Sequence, residues 1–498
     1  MRIGRGLAGG VLLLGRRVEW GRRLPAEAGT LAEAQIRCLS TAFTRKRGES
    51  CNHPSRENRD LGLKILLALA DGRIHRLRFG ASAISFREAP LTLTTLAALV
   101  PSELHAQVRI ADASVQPVPL GETFDLVGIS CITGTAFGAY AMADHFRRRG
   151  IPVVLGGVHV ALCPEEAAQH ADAIVIGFAE QTWPQLLRDF VAGKMQKIYR
   201  HDGSDLRGLP APRRDLQKKF GYMMPNTVFA TRGCKGTCEF CAVPAVPFGW
   251  HTRPVGEVVA EVRRIPARRF AFNDVNIIED RDYARELFRA LIPLKKTWGG
   301  LATTDIAQDP ELLELMARSG CAYLLLGFES LAERALQGIG KAFNRPEDYP
   351  SVCRALHDRG IVIQGCFIFG MDSDTPDIFR DTVAAVNELQ IDIPRYAVFT
   401  PYPATRAYQR LKAEDRLLHE YWPDYDTQHV VFRPKNMSPE ELDAGFIRAW
   451  TETFTLKSIR HRVRWRRQFV VAFVGNLAYR LYVHRLHRDT NRFRVAGL

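Results

Sequence analysis

At 498 residues, with 46% apolar and 24% charged side chains, the chain has a folded globular protein's balance and is long enough for two or three domains. The net charge of +14 belongs to its ends: residues 1–50 carry +6 and residues 457–498 carry +10, which leaves −2 for the body between them. A polyanion groove through that body has no support, so nucleic acid is not an expected partner. No apolar run reaches the roughly 18 residues of a spanning helix.

Residues 1–60 show no periodicity and read as a disordered extension. Their apolar stretch, residues 7–15, is followed by Arg16-Arg17 and Arg22-Arg23 where a secretory segment would carry small residues. Ten cysteines without the spacing of a small secreted framework point to a reducing, cytoplasmic setting. From residue 64 the pattern alternates. Strands are predicted over 64–70, 106–112, 126–131, 152–155 and 173–176, and helices over 91–100, 140–149 and 164–170. This is the order of an α/β fold, a doubly wound Rossmann-like parallel sheet spanning 61–195. Such sheets bind ligands at the carboxyl ends of their strands, where the turns at 130–138 and 156–159 fall.

Residues 196–225, with Pro210, Pro212 and Pro225, read as a linker. A second alternating series fills 226–437, with strands over 227–231, 269–273, 300–304, 322–327, 362–369 and 395–400. Helices over 255–264, 283–291, 310–319 and 376–389 lie between them. Six strand–helix units predict a partial (β/α)6 barrel, open where a full barrel would close. Residues 438–498 are helical and basic, interleaving Arg462, Arg464, Arg466, Arg467 and Arg480 with Trp465, Phe469, Phe473, Tyr479 and Tyr482. Such a segment offers a surface for peripheral contact with an anionic membrane, or a cap on the barrel.

The sharpest motif is Cys234, Cys238 and Cys241 in Cys-x3-Cys-x2-Cys spacing, just after the first barrel strand. Soft thiolates select zinc, copper(I) or iron–sulfur clusters. A [4Fe–4S] cluster takes four thiolates, so three would leave one iron open to a small ligand. Gly233 and Gly236 let the loop turn tightly, and Phe240 is placed to shield a cluster from water. Structural zinc, completed by His251 or a distant cysteine, is the other use of such a set.

Here the chain resembles the radical S-adenosylmethionine (SAM) superfamily, in which this spacing, with an aromatic before the last cysteine, carries the cluster. The resemblance implies that SAM chelates the open iron and is cleaved to a radical that abstracts substrate hydrogen. It further implies SAM contacts at Asp274 and Asn276 in Phe272-Asn-Asp-Val-Asn-Ile-Ile278, where Val275 departs from the family's Phe-x-Asp-Asp-Asn. A helix N-cap is the other reading of Asp274. Glu329 and Ser330 in Gly327-Phe-Glu-Ser330 match a ribose or methionine contact, and Gly365 to Gly370 the strand beside the adenine.

The preceding sheet resembles a cobalamin-binding domain, which defines the cobalamin-dependent radical SAM enzymes. That implies cobalamin contacts at Ser130, Thr133, Gly156, Gly157 and His159. The axial-ligand motif Asp-x-His-x-x-Gly is not matched by Asp71-Gly-Arg-Ile-His75. The class resembles hopanoid methyltransferases and anaerobic magnesium-porphyrin cyclases. The expected activity is therefore methylation of an unactivated carbon of a small, hydrophobic metabolite, with an external donor such as flavodoxin or ferredoxin. An oxidative cyclase is the alternative, and a non-enzymatic cobalamin sensor is the alternative of another class. RNA methylthiolation would need further cluster cysteines and a basic appendage.

Overall fold

The computed structural model describes residues 62–486 apart from 72–75, 80–81, 202, 204, 219, 247 and 464–468. The expected extension at residues 1–60, His75 and the arginines from 464 to 467 lie outside the described residues.

The first half runs β1 (Lys64–Leu69), β2 (Arg76–Phe79), β3 (Ser82–Glu88), α1 (Thr92–Ala98), β4 (Gln107–Asp112), β5 (Leu126–Ser130) and α2 (Ala136–Arg148). It continues with β6 (Val153–Gly156), α3 (Val158–Leu162), α4 (Pro164–Gln169), β7 (Ala173–Gly177), α5 (Ala179–Val191), β8 (Ile198–His201) and β9 (Tyr222–Met224). Strands in the order β4-β1-β5-β6-β7-β8 form one sheet whose neighbours are all parallel. Strands buried on both faces read as unbroken apolar runs, and in β1 Ile65, Leu66, Leu67 and Ala68 are fully enclosed. The expected linker is not wholly irregular: β8 extends the sheet, and β9 joins β2 and β3 in a separate three-stranded sheet.

The second half holds β10 (Thr227–Val228), β11 (Thr231–Arg232), β12 (His251–Thr252), α6 (Val255–Arg264), β13 (Arg269–Phe272), α7 (Arg281–Leu291), β14 (Thr297–Ala302), α8 (Pro310–Arg318), β15 (Cys321–Glu329) and α9 (Glu333–Gly338). Then come α10 (Tyr349–Asp358), β16 (Val362–Phe369), α11 (Ile378–Glu388), β17 (Ile393–Val398), α12 (Arg406–Ala413), α13 (Pro439–Thr453), α14 (Leu456–Arg462) and α15 (Phe469–Leu486). The six strands β10-β13-β14-β15-β16-β17 lie side by side and parallel, the expected partial barrel.

Alternation along the barrel strands separates two faces. Phe328, Phe367, Phe369 and Tyr396 point to the helical layer, where Phe328 meets Tyr349 of α10, Phe369 meets Phe379 of α11 and Tyr396 meets Trp450 of α13. The alternate residues Tyr323, Leu325, Gly327, Cys366, Arg395 and Ala397 face the concave side, and all of them keep accessible surface. The concave side, the barrel's lumen, is therefore less tightly closed than the helical face. At its open edge α15 packs against β17, and Tyr479 of α15 accepts a hydrogen bond from Gln364 of β16 at 3.1 Å. No helix among the described residues is long and apolar enough to cross a membrane.

Candidate functional site

Cys234, Cys238 and Cys241 sit in the loop that leaves β11 at the carboxyl end of the barrel. All three are partly buried free thiols. The loop is held from several sides. Glu279 accepts from the Lys235 amide at 2.8 Å and lies 3.8 Å from the Cys234 thiol. The Glu239 amide donates to Ile339 at 3.1 Å, its carbonyl accepts from Ala407 of α12 at 3.0 Å, and its carboxylate pairs with Arg410 at 2.8 Å. Arg406 donates to the Thr237 carbonyl. Burial raises all three thiol pKa values, that of Cys241 to about 11, and the Lys341 ammonium opposes the rise at Cys238 and Cys241. Thiols beside a cation, with no cystine among them, suit a metal that takes them as thiolates. His251, the other zinc candidate, turns Nε2 to the Phe248 carbonyl at 2.7 Å.

Around this loop the sequence-derived contacts divide. Glu329 is buried at the end of β15 in a left-handed conformation (φ 65°) and pairs with Lys341 at 2.5 Å. Ser330 follows it, buried, with its hydroxyl accepting from the Ala332 amide at 3.1 Å. Phe240 packs edge-on against Phe399, ring centres 6.1 Å apart. Asn276 donates to Glu279 at 2.8 Å and so sits behind the cysteine loop. Asp274 is not a helix cap, a role that falls to Asp280. Its carboxylate is 1% exposed and accepts from the amides of Ala230 and Thr231 and from the Thr231 hydroxyl. It braces the approach to the motif. Gly365 is on the helical face, where a Cβ would meet Ile391 at 2.8 Å and Phe328 at 3.2 Å, so close packing explains it. Gly370 (φ 96°) makes the turn after β16, its amide bonded to Asp374 at 2.9 Å. Sequence reasoning missed Glu279, Lys341 and Arg410, because their partners lie far away along the chain.

Between the carboxyl ends of the two sheets lies a cavity of ≈470 Å3. Ser130, Gly156, Gly157, Gly177 and Phe178 line it from the first sheet, and Phe229, Thr231, Arg232 and Asn273 from the barrel. Arg232 crosses the junction, 2.8 Å from Glu180 and over the rings of Phe229 and Phe178. The glycine floor lets a ligand approach the backbone closely, as a nucleotide-like cofactor tail requires. Two of the expected contacts lie outside the cavity. His159 is 0% exposed, enclosed by Thr133 at 3.3 Å, Glu166 at 3.5 Å and the ring of Trp422. Thr133 is likewise buried, with its hydroxyl turned to His159. Both hold the turn in shape and neither lines the cavity. Burial lowers the His159 pKa, which keeps the ring neutral.

A doubly wound sheet, a partial barrel and three cysteines at the first barrel strand define a radical SAM enzyme with a cobalamin-type domain. The comparisons agree. The Radical SAM superfamily model matches residues 228–386, and the B12 binding domain model matches residues 80–187. The bacteriochlorophyllide d C-12(1)-methyltransferase of Chlorobaculum tepidum is 33% identical over 374 residues, 72% of this chain and 80% of that protein. The hopanoid C-2 methylase of Rhodopseudomonas palustris is 26% identical, over 66% of each chain. The radical SAM methyltransferase TsrM of Kitasatospora setae superposes with a TM-score of 0.62, covering 87% of this chain and 100% of that one at 16% identity, a likeness of fold. The chain belongs to the cobalamin-binding radical SAM family, whose cofactors are a [4Fe–4S] cluster, SAM and cobalamin.

Proposed function

We propose that this enzyme methylates an unactivated carbon of a small hydrophobic metabolite, a magnesium tetrapyrrole of the bacteriochlorophyllide class. The observation that carries the reading is the 33% identity to a bacteriochlorophyllide methyltransferase over most of both chains. Cys234, Cys238 and Cys241 would hold the cluster. Glu329, Ser330 and Lys341 beside them would receive SAM, and the crevice of Ser130, Gly156 and Gly157 would take the cobalamin tail. When bound, these groups supply one-electron cleavage of SAM and a transferable methyl group.

The chain's own contribution is placement and shelter. The clamps from Glu279, the Ile339 carbonyl and α12 fix the cysteine loop against the barrel mouth. Phe240 and Phe399 wall it with apolar surface that excludes water. The cavity between the sheets would bring a substrate within reach of both cofactor regions.

An external donor of the flavodoxin or ferredoxin kind supplies the electron. Peripheral membrane contact through α15 suits a hydrophobic substrate, because Val470, Phe473, Val474 and Leu481 are exposed on it. Anaerobic turnover with methyl-labelled SAM, bacteriochlorophyllide d and a flavodoxin system tests the reading. Label is expected in a product that carries one additional methyl group. An oxidised, unlabelled product would replace methyl transfer with cyclase-type chemistry. Alanine at all three cysteines is expected to abolish reductive SAM cleavage while the first sheet stays folded.

A further inference from the structure

Arg395 is the third residue of β17 and faces the barrel lumen. Its register places it beside Cys366, which itself pairs with Gly327. The helical-face neighbour Tyr396 is completely buried, whereas Arg395 keeps accessible surface. An arginine carries five N–H donors and stays charged in any protein. Among the described residues, none of those donors makes a hydrogen bond or ion pair to Arg395's surroundings.

The polar groups around it bond to one another and not to it. Tyr323 gives its hydroxyl hydrogen to Gln364, and Gln364 in turn donates to Tyr479. Burial works to lower the Arg395 pKa, and Tyr479, Cys366, Tyr323 and Glu88 together raise it. Glu88, which ends β3, acts on Arg395 from beyond ion-pair contact. The two arginines buried among the described residues are paired: Arg253 with Glu261, and Arg462 with the carbonyls of Thr453, Ile391 and Asp392. An enclosed cation without partners is costly unless something else neutralises it. Phe399, which walls the cysteine loop, lies four residues further along, about 13 Å at the rise of a strand. Arg395 therefore lies deeper in the barrel than the cysteine loop, on the concave side of β17.

We propose that Arg395 binds the carboxylate of the substrate and sets which edge of the molecule faces the radical chemistry. The inference rests on the proposed function, which names a substrate class carrying a free propionate. It deepens that reading by assigning the group that recognises the propionate. A planar guanidinium grips a carboxylate through two parallel N–H···O bonds, which fixes orientation as well as affinity.

The test is equilibrium titration of the holoenzyme with bacteriochlorophyllide d and with its propionate methyl ester, read by pigment absorbance. Wild type is expected to bind the acid about 10- to 100-fold more tightly than the ester, the range of a charge-assisted pair. Arg395→Gln should bind both alike, at the ester's level, and Arg395→Lys should recover part of the preference. The thermal midpoint of ligand-free Arg395→Gln should equal or exceed that of wild type, since the substitution removes an unmatched charge. A lower midpoint, with equal loss of acid and ester binding, means a structural arginine and overturns the proposal. So does a wild type that binds acid and ester equally, which leaves the tetrapyrrole reading standing. A wild type that binds neither sinks the substrate class and the carboxylate assignment together.

Discussion

Gly156 and Gly157 are adjacent, yet the fold uses them for different reasons. Gly157 has φ 101°, and a Cβ there would lie 2.5 Å from the Cys131 carbonyl oxygen and 2.7 Å from the Ser130 hydroxyl. The Cys131 carbonyl and amide are backbone, bonded to the His159 amide and the Gly156 carbonyl, and cannot give way. Gly157→Ala should cost about 2–4 kcal/mol, from the left-handed conformation and the clash together. At Gly156 a Cβ would meet only Val175, at 3.8 Å. Gly156→Ala should therefore keep the wild-type unfolding midpoint while its methyl narrows the crevice. Thermal melts together with retention of cobalamin through gel filtration separate the two. Equal melting losses would mean that the turn, rather than ligand approach, requires both glycines. The sequence showed that these glycines sit at a strand end; which one is forced depends on Cys131 and Ser130, an adjacent strand end 26 residues earlier.

At the scale of elements, α15 is the segment whose two faces differ most in what they meet. Tyr479 and Tyr482 turn inward, to Gln364 and Gln428, and both pack on Trp450. Val470 is 70% exposed and Val474 50%, on successive turns of the opposite face. An apolar stripe set in a C-terminal region of strong positive charge matches an anionic lipid surface. Co-sedimentation with vesicles containing about a third anionic lipid should retain wild type and release a Val470→Glu/Val474→Glu double variant. Both substitutions fall on exposed positions, so the melting midpoint should not move. Binding that survives them would assign α15 to capping the barrel alone. Its packing on the barrel was legible from the spacing of aromatics and arginines. The hairpin of β2 and β3 was not, because Arg76–Phe79 alternates charge with apolar residues and the parallel partner of β3, β9, comes 134 residues later. Strand β14 was read three residues late because Gly299 and Gly300 look like a turn. In the fold Gly299 admits the Tyr323 ring from the neighbouring strand, 3.0 Å from where a Cβ would stand.

Across the whole molecule, one continuous apolar core runs from the first sheet (Leu66, Val127, Leu155) through the barrel (Phe272, Leu324, Phe367) to Trp450 of α13. The halves read from sequence as separate domains should therefore unfold together, and a titrating group buried in that core acts on the whole. Asp274 is such a group. Burial raises its pKa from 3.8 to about 6, against the opposing hydrogen bonds of Thr231 and Ala230. The folded state thus holds this proton in a window, about pH 4 to 6, where the unfolded chain has released it. Stability from this group is fully present below pH 4 and is lost as pH rises through 6. Asparagine carries no such proton. In a background with alanine at the three cysteines, Asp274→Asn should gain about 3 kcal/mol on its parent between pH 4 and pH 7, because each tenfold difference in proton affinity between the folded and unfolded chain is worth about 1.4 kcal/mol. Urea midpoints across that range measure it. A difference that stays flat would mean that Asp274 ionises normally, with the amides of Ala230 and Thr231 offsetting its burial in full. A variant that instead loses ground as pH rises would reverse the sign and make the carboxylate a net source of stability for the loop that carries the cysteines.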